Sequence, residues 1–174
     1  RGMAYAKKVV VLGDGAPWIW EVARVNFPDA VCILDLYHAF EHVNDIAALI
    51  YPQESADTGH AKKWRKWLKA DKIDHFIKEV SDRANDEPKK KDEILKALNY
   101  FIKNRGRMLY ATFRKAGYFV GSGVVEAGCK TVVGKRAKQS GMFWHVDGAQ
   151  NVLATRCAVL GNLFDDYWAK KKAA

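Results

Sequence analysis

Cysteine and proline are scarce in this sequence of 174 residues, which contains three cysteines and four prolines. Cys32, Cys129 and Cys157 are odd in number and far apart, which fits neither a disulfide framework nor a paired-cysteine zinc site. Apolar runs such as residues 9–12 are too short to span a membrane, and the start of the sequence does not resemble a secretion signal. These absences predict a soluble, cytoplasmic protein.

Acidic residues are outnumbered, because 29 lysines and arginines face 20 aspartates and glutamates, for a formal charge of +9. A surplus of positive charge favours a polyanionic partner such as nucleic acid over an acidic membrane surface. The chain is 49% hydrophobic, enough to bury a substantial core, and its length fits one compact domain.

Two short apolar runs flank a helical pattern near the start of the chain. Residues 7–14 form a buried-strand pattern that ends at Asp14, and residues 30–34 form a second that ends at Asp35. Pro17 suits the first turn of a helix between them. A strand, helix and strand in this order predict a parallel pair with a right-handed crossover. Asp14 and Asp35 should then lie at the same edge of the sheet, where α/β proteins bind ligands.

The rest of the sequence has helical periods, so the predicted class is α/β and helix-rich. From residue 36 to about residue 115, helix-length segments are separated by prolines and glycines. A further helix should follow residues 121–123, and a last one should span about 147–168. Because two buried strands cannot form a stable sheet alone, we expect neighbouring strands to come from elsewhere and the chain to be a fragment.

Three carboxylates have positions suited to chemistry: Asp14 and Asp35 at strand ends, and Glu126 near a helix start. Each also has an ordinary explanation. Asp-Gly is a common turn pair, Asp35 could cap the next helix, and Glu126 could pair with Lys130 at i, i+4 spacing. Their joint occurrence is better evidence for a site than any one of them.

Histidines on the helix after the second strand raise the possibility of zinc. His38, Glu41 and His42 lie within one turn, but the order His-Ala-Phe-Glu-His lacks the zincin spacing and no third ligand is evident. A helix face with satisfied histidines is favoured over a zinc hydrolase.

Two basic segments could contact DNA. Residues 61–72 interleave tryptophan with lysine and arginine, which suits either a grip on nucleic acid or an amphipathic helix with a solvated basic face. A second group follows Glu126 and could hold phosphates beside a metal site; it consists of Lys130, Lys135, Arg136 and Lys138.

Three ordered motifs carry a resemblance to a known family. They are Val-Leu-Gly-Asp-Gly-Ala-Pro-Trp-Ile-Trp at residues 11–20, Leu-Asp-Leu-Tyr-His-Ala-Phe-Glu-His at 34–42, and Gly-Ser-Gly-Val-Val-Glu-Ala-Gly-Cys-Lys-Thr at 121–131. Gly-Met-Phe-Trp at 141–144 and Gly-Ala-Gln at 148–150 extend them. Together they resemble transposases of the ISKra group of bacterial insertion sequences, over nearly the whole chain.

The resemblance implies a DDE transposase with a ribonuclease H-like catalytic domain and a helical insertion. Residues 1–50 and 118–174 would form the C-terminal part of that domain, with 51–117 as the all-helical insertion. Asp14 would be the second catalytic aspartate and Glu126 the glutamate, both binding two Mg²⁺ or Mn²⁺ ions, with Asp35 and His38 in support. The expected DNA-binding residues are Lys130, Lys135, Arg136, Lys138 and Trp144.

The implied function is metal-dependent DNA strand cleavage and transfer at insertion-sequence ends, in the nucleoid region of a bacterial cytoplasm. Expected partners are terminal-repeat and target DNA and further copies of the protein in an assembled complex. The first catalytic aspartate, expected on an upstream strand, is absent from these 174 residues, so the fragment alone should be inactive. A ribonuclease H-like nuclease or resolvase, and an inactive DNA-binding or assembly module, are the alternatives.

Overall fold

A computed structural model describes residues 5–172, apart from the side chains at positions 167 and 170–172. The chain divides into two units, the first ending at Ser122 and the second beginning at Gly123. The first contains the strands and most of the helices. The architecture is mostly helical with a small parallel sheet, which confirms the helix-rich α/β class predicted from the sequence.

The parallel pair near the start of the chain is confirmed. Strands β1 (Val10–Gly13) and β2 (Val31–Leu34) pair in parallel, with Gly13 opposite Leu34 at their carboxyl ends. Helix α1 (Pro17–Asn26) connects them and begins at the proline, whose fixed φ suits the first helical position. Each strand is four residues long, shorter than the apolar runs that predicted it.

Helix α1 turns an apolar stripe outward. Trp20 and Ala23 are buried, whereas the side chains at the i, i+4, i+7 positions Trp18, Val22 and Val25 are 67%, 48% and 63% exposed. Since apolar residues are common on surfaces only as scattered positions, three on one helix face mark a side of the unit that is not covered by the described residues.

Five α-helices complete the described part of the first unit around one core. They are α2 (Leu36–Ile50), α3 (Gly59–Lys69), α4 (Ile73–Asp86), α5 (Lys91–Asn104) and α6 (Tyr110–Lys115). The rings of Trp64 and Phe76 have centroids 5.4 Å apart, and those of Phe76 and Phe101 lie 4.7 Å apart, so aromatic packing joins α3, α4 and α5. Residues 51–117 thus lie in the same unit as the sheet.

Helices α3 and α5 bury one apolar side each. Leu98 and Phe101 are buried, but Ile102 on the same helix is 50% exposed because it lies beside the buried stripe. Trp64 is fully buried, whereas Trp67, one turn along α3, is half-buried.

The second unit is helical: α7 (Gly123–Gly128), a π-helical segment (Cys129–Gly134), α8 (Lys135–Ala137), α9 (Val146–Leu160) and α10 (Phe164–Lys172). The single last helix predicted at about 147–168 is wrong. Gly161 caps α9 and Asn162 adopts a positive φ of 52°, a combination that ends helices. None of the described side chains in this unit is buried.

Candidate functional site at the strand ends

Asp14 and Asp35 follow the paired ends of β1 and β2, as the sequence predicted. Gly13 pairs with Leu34, and the Asp35 amide donates to the Gly13 carbonyl at 2.7 Å, so the ladder continues to Asp35. The carboxyl edge of this parallel pair therefore presents two acidic residues on adjacent strands. The environments of these two carboxylates are different.

The Asp14 side chain is exposed at a tight turn. Its Oδ1 accepts a hydrogen bond from the Ala16 amide at 2.9 Å, the local bond by which aspartate stabilises turns. Gly15 between them has φ of 100°, a conformation that L-residues rarely adopt. The turn fixes Asp14 in place while leaving its carboxylate open to solvent or a ligand.

The Asp35 carboxylate, by contrast, is buried and has three main-chain donors. Its Oδ1 accepts from the amides of Tyr37 at 2.8 Å and His38 at 3.1 Å, which caps α2, and its Oδ2 accepts from the Ser122 amide. The Leu36 amide also donates to the Val120 carbonyl at 2.8 Å. Asp35 thus joins the start of α2 to residues 120–122, the segment that leads to Glu126.

These hydrogen bonds set the ionisation of Asp35. Burial alone would raise the pKa of the Asp35 carboxyl, but hydrogen bonds from His38, Ser122 and Tyr37 outweigh burial and hold the pKa below its ordinary value. Asp35 is therefore a charged carboxylate at neutral pH, with its acceptor positions used by the protein itself.

Tyr100 of α5 completes the edge and was missed by sequence reasoning. Its hydroxyl donates to the Asp14 main-chain carbonyl at 2.8 Å, and its ring lies 4.0 Å from that of His42. Burial raises the pKa of the Tyr100 hydroxyl, and the nearby charges of Asp14, Asp35 and Glu41 raise it further. Tyr100 therefore stays protonated and remains a hydrogen-bond donor to the Asp14 turn.

The histidines of α2 have separate partners. His38 Nδ1 lies 2.9 Å from Glu41 Oε2, in an exposed pair one turn apart, whereas the His42 ring packs on Tyr100. Within residues 5–172, no group of three or more histidine, cysteine, aspartate or glutamate side chains is arranged to hold a metal ion. The side chains of His38 and His42 therefore contact different residues, Glu41 and Tyr100.

In the second unit, Glu126 is exposed on α7. Of the basic residues predicted to bind DNA, Lys130, Lys135 and Lys138 are exposed, and the Arg136 guanidinium lies 5.2 Å from the centre of the Trp144 ring. Trp144 Nε1 donates to the Ala137 carbonyl at 3.2 Å. The side chains of Arg136 and Trp144 therefore contact each other, and the three lysine side chains lie on the surface.

The donor atoms at the strand edge fit Mg²⁺ in type. Carboxylate oxygen is the ligand that Mg²⁺ prefers, and Asp14 Oδ2 has no hydrogen-bond partner among the described residues. Asp35 is a poor direct ligand because three amides already occupy its oxygens. Within the first unit, Asp14 is thus the residue that would bind the ion, and Asp35 would position its surroundings.

Comparison with known proteins adds no relative. The chain matches no family model, no curated protein and no solved structure. Among the described helices, none is both long and apolar enough to cross a membrane. The strand-end carboxylates and the basic residues are the features from which a function can be inferred.

Proposed function

We propose that this chain forms part of the catalytic centre of a DDE-type DNA transposase with a ribonuclease H-like fold, as its motifs suggest. The supporting observation is the pair of aspartates that follow in-register ends of adjacent parallel strands, one exposed and one buried. This edge is where open α/β sheets place their chemistry. The reaction is cleavage and joining of DNA strands at insertion-sequence ends.

Asp14 is proposed as a metal-binding carboxylate, with Glu126 of the second unit as another on the strength of the family motif. Two bound Mg²⁺ or Mn²⁺ ions would activate the attacking oxygen and stabilise charge on the leaving oxygen. The exposed carboxylate of Asp14 suits this role, because its turn holds the main chain and leaves one oxygen without a hydrogen-bond partner in the part of the chain that the structure describes.

Asp35 and His38 have supporting roles in this proposal. The amide of His38 donates to Asp35, and the side chain of His38 lies beside Glu41. Through Ser122, Asp35 also holds the segment that precedes α7. Asp35 therefore positions main chain on both sides of the edge and does not itself react.

DNA is the proposed substrate because the chain carries a formal charge of +9 and basic residues follow the Glu126 motif. Phosphate contacts by lysine and arginine supply most nonspecific affinity for DNA. Lys130, Lys135, Arg136, Lys138 and Trp144 are the proposed contacts in the second unit.

The test is a cleavage and joining assay with the protein expressed from its complete gene and labelled terminal-repeat DNA. We expect nicks that require Mg²⁺ or Mn²⁺ and joined products when target DNA is added. Cleavage without joining would favour a ribonuclease H-like nuclease or resolvase. DNA binding without any cleavage would favour an inactive binding or assembly module, and would refute the proposal.

A further inference from the structure

Helix α3 has a buried face and a face of uncompensated positive charge. Trp64 and Leu68 enter the core, whereas Lys62, Lys66 and Lys69 are exposed and recur at i, i+4, i+7 on one side. Like charges at this spacing repel each other across a helix surface. Within residues 5–172, no carboxylate forms an ion pair with these three lysines.

An aromatic ring on the neighbouring helix orders two cations of this face. The half-buried Phe40 of α2 has Lys69 Nζ 5.1 Å and the Arg65 guanidinium carbon 6.0 Å from its ring centre. The electron-rich face of an aromatic ring attracts such cations. Arg65 is also engaged by the Ala56 carbonyl and by Asp57 at 3.5 Å, so the lysines are the cations that remain available for a ligand.

The same aromatic contact connects α3 to the strand edge. The Tyr37 ring meets the Phe40 ring edge to face at 6.3 Å, and Tyr37 is 63% exposed. The Tyr37 amide donates to the Asp35 carboxylate. Tyr37 and Phe40, on the first turns of α2, therefore lie between the proposed catalytic edge and the α3 lysines.

We infer that this α2–α3 surface binds the sugar–phosphate backbone of DNA that extends from the reacting bond. The surface consists of Tyr37, Phe40, Lys62, Lys66 and Lys69. Lys62 and Lys69 are separated by about 10 Å along the helix axis, which is about three phosphate steps of one DNA strand. The inference rests on the proposed function for its choice of DNA among polyanions.

The salt dependence of binding tests this surface without relying on cleavage. Binding of duplex DNA to the purified protein is measured in EDTA at KCl concentrations between about 50 and 200 mM. The variant K62Q/K66Q/K69Q should have a slope of log affinity against log salt that is shallower by about 2.7, because each phosphate contact contributes about 0.9. The wild type should then lose about 40-fold more affinity than this variant across that range.

Two matched variants complete the experiment. K62R/K66R/K69R keeps the charge and should keep the wild-type slope. K78Q/K89Q/K91Q removes the same charge from exposed positions on α4 and near the start of α5, and should change the slope by less than about one.

Equal slopes for the two glutamine variants would overturn the inference, since net charge alone would then explain the effect. If K62Q/K66Q/K69Q loses more affinity for phosphatidylserine vesicles than for DNA, the inference is also overturned, in favour of a membrane-binding surface. Because EDTA removes the metal, the binding result stands whether or not the protein cleaves DNA. Failure of cleavage with a reduced slope would refute the proposed function alone.

Discussion

The hydroxyl of Tyr100 donates a 2.8 Å hydrogen bond to the main-chain carbonyl of Asp14, and the two residues are 86 positions apart. The bond holds the turn that displays the Asp14 carboxylate against a helix of the core. Since Tyr100 contacts the carbonyl and leaves the carboxylate free, it positions the proposed metal ligand without competing for it.

Replacing Tyr100 with phenylalanine should therefore loosen this turn. The Y100F variant should lose about 0.5–1.5 kcal/mol in the free energy of unfolding, the usual net contribution of one hydrogen bond. Urea denaturation measures the change, and Y118F is the control because the Tyr118 hydroxyl is not hydrogen-bonded to the described part of the chain. Equal effects of both substitutions would show that the bond to Asp14 contributes nothing to stability.

Gly15 should tolerate no side chain. A Cβ at this position would lie 2.7 Å from the Tyr100 ring and 2.9 Å from Leu34 Cδ1, and φ is already positive at 100°. We expect G15A to destabilise the protein by about 2 kcal/mol or more, from backbone strain and steric overlap. G106A is the matched control, because a Cβ there meets nothing within 4 Å. A thermal melt in which G15A and G106A have the same midpoint would contradict this prediction.

Replacing Asp35 with asparagine should destabilise the fold in a pH-dependent way. The asparagine NH₂ group cannot accept a hydrogen bond, so it would replace the acceptor either of the Ser122 amide or of the amides at the start of α2. D35N should therefore lower the free energy of unfolding by about 1–3 kcal/mol at pH 7. D45N, an exposed substitution on the same helix, should cost less than about 0.5 kcal/mol.

The sign of the pH dependence follows from the lowered pKa of Asp35. The ionised group stabilises the fold fully above the ordinary carboxyl pKa of about 4, and this stabilisation is lost as the pH falls through the lower folded-state pKa. The difference in unfolding free energy between wild type and D35N should therefore narrow below about pH 4. A difference that stays constant from pH 7 to pH 3 would contradict the role of ionised Asp35.

In the cleavage assay described under the proposed function, which uses the protein from its complete gene, D14N and E126Q should each lower DNA cleavage by at least about 100-fold, which corresponds to about 2.7 kcal/mol of transition-state stabilisation. Their affinity for DNA should change little, because phosphate contacts by lysine and arginine dominate binding. D29N, at an exposed turn, is the control for the loss of one carboxylate. Full activity of D14N would refute its assignment as a metal ligand.

The sequence predicted the parallel strands and their common edge because the signals were local. An apolar run, a proline at a helix start and a second run lie within residues 7–35, and their connection determines the strand order. The capping role of Asp35 was also among the predicted possibilities, since aspartate often precedes a helix.

Contacts between distant segments could not be predicted in this way. The apolar pattern of the helix that contains Tyr100 predicts which of its residues are buried. The neighbouring sequence does not indicate that the Tyr100 hydroxyl bonds to Asp14. Likewise, the helical pattern after Pro17 predicted helix α1 but did not indicate that the Trp18 and Val22 side chains face outward. Burial depends on which segments pack nearby, and that is a property of the whole chain.

The bond between Asp35 and Ser122 also bears on the order of folding, because it joins residues 87 positions apart. Closing a loop of that length costs more conformational entropy than forming a local contact. The bond therefore becomes favourable once the intervening helices have formed and shortened the loop. The β1–β2 pair spans only a short crossover. We therefore expect the strands to form early and the bond from Ser122 to Asp35 to form late, so that the proposed catalytic edge is assembled in the last stage of folding.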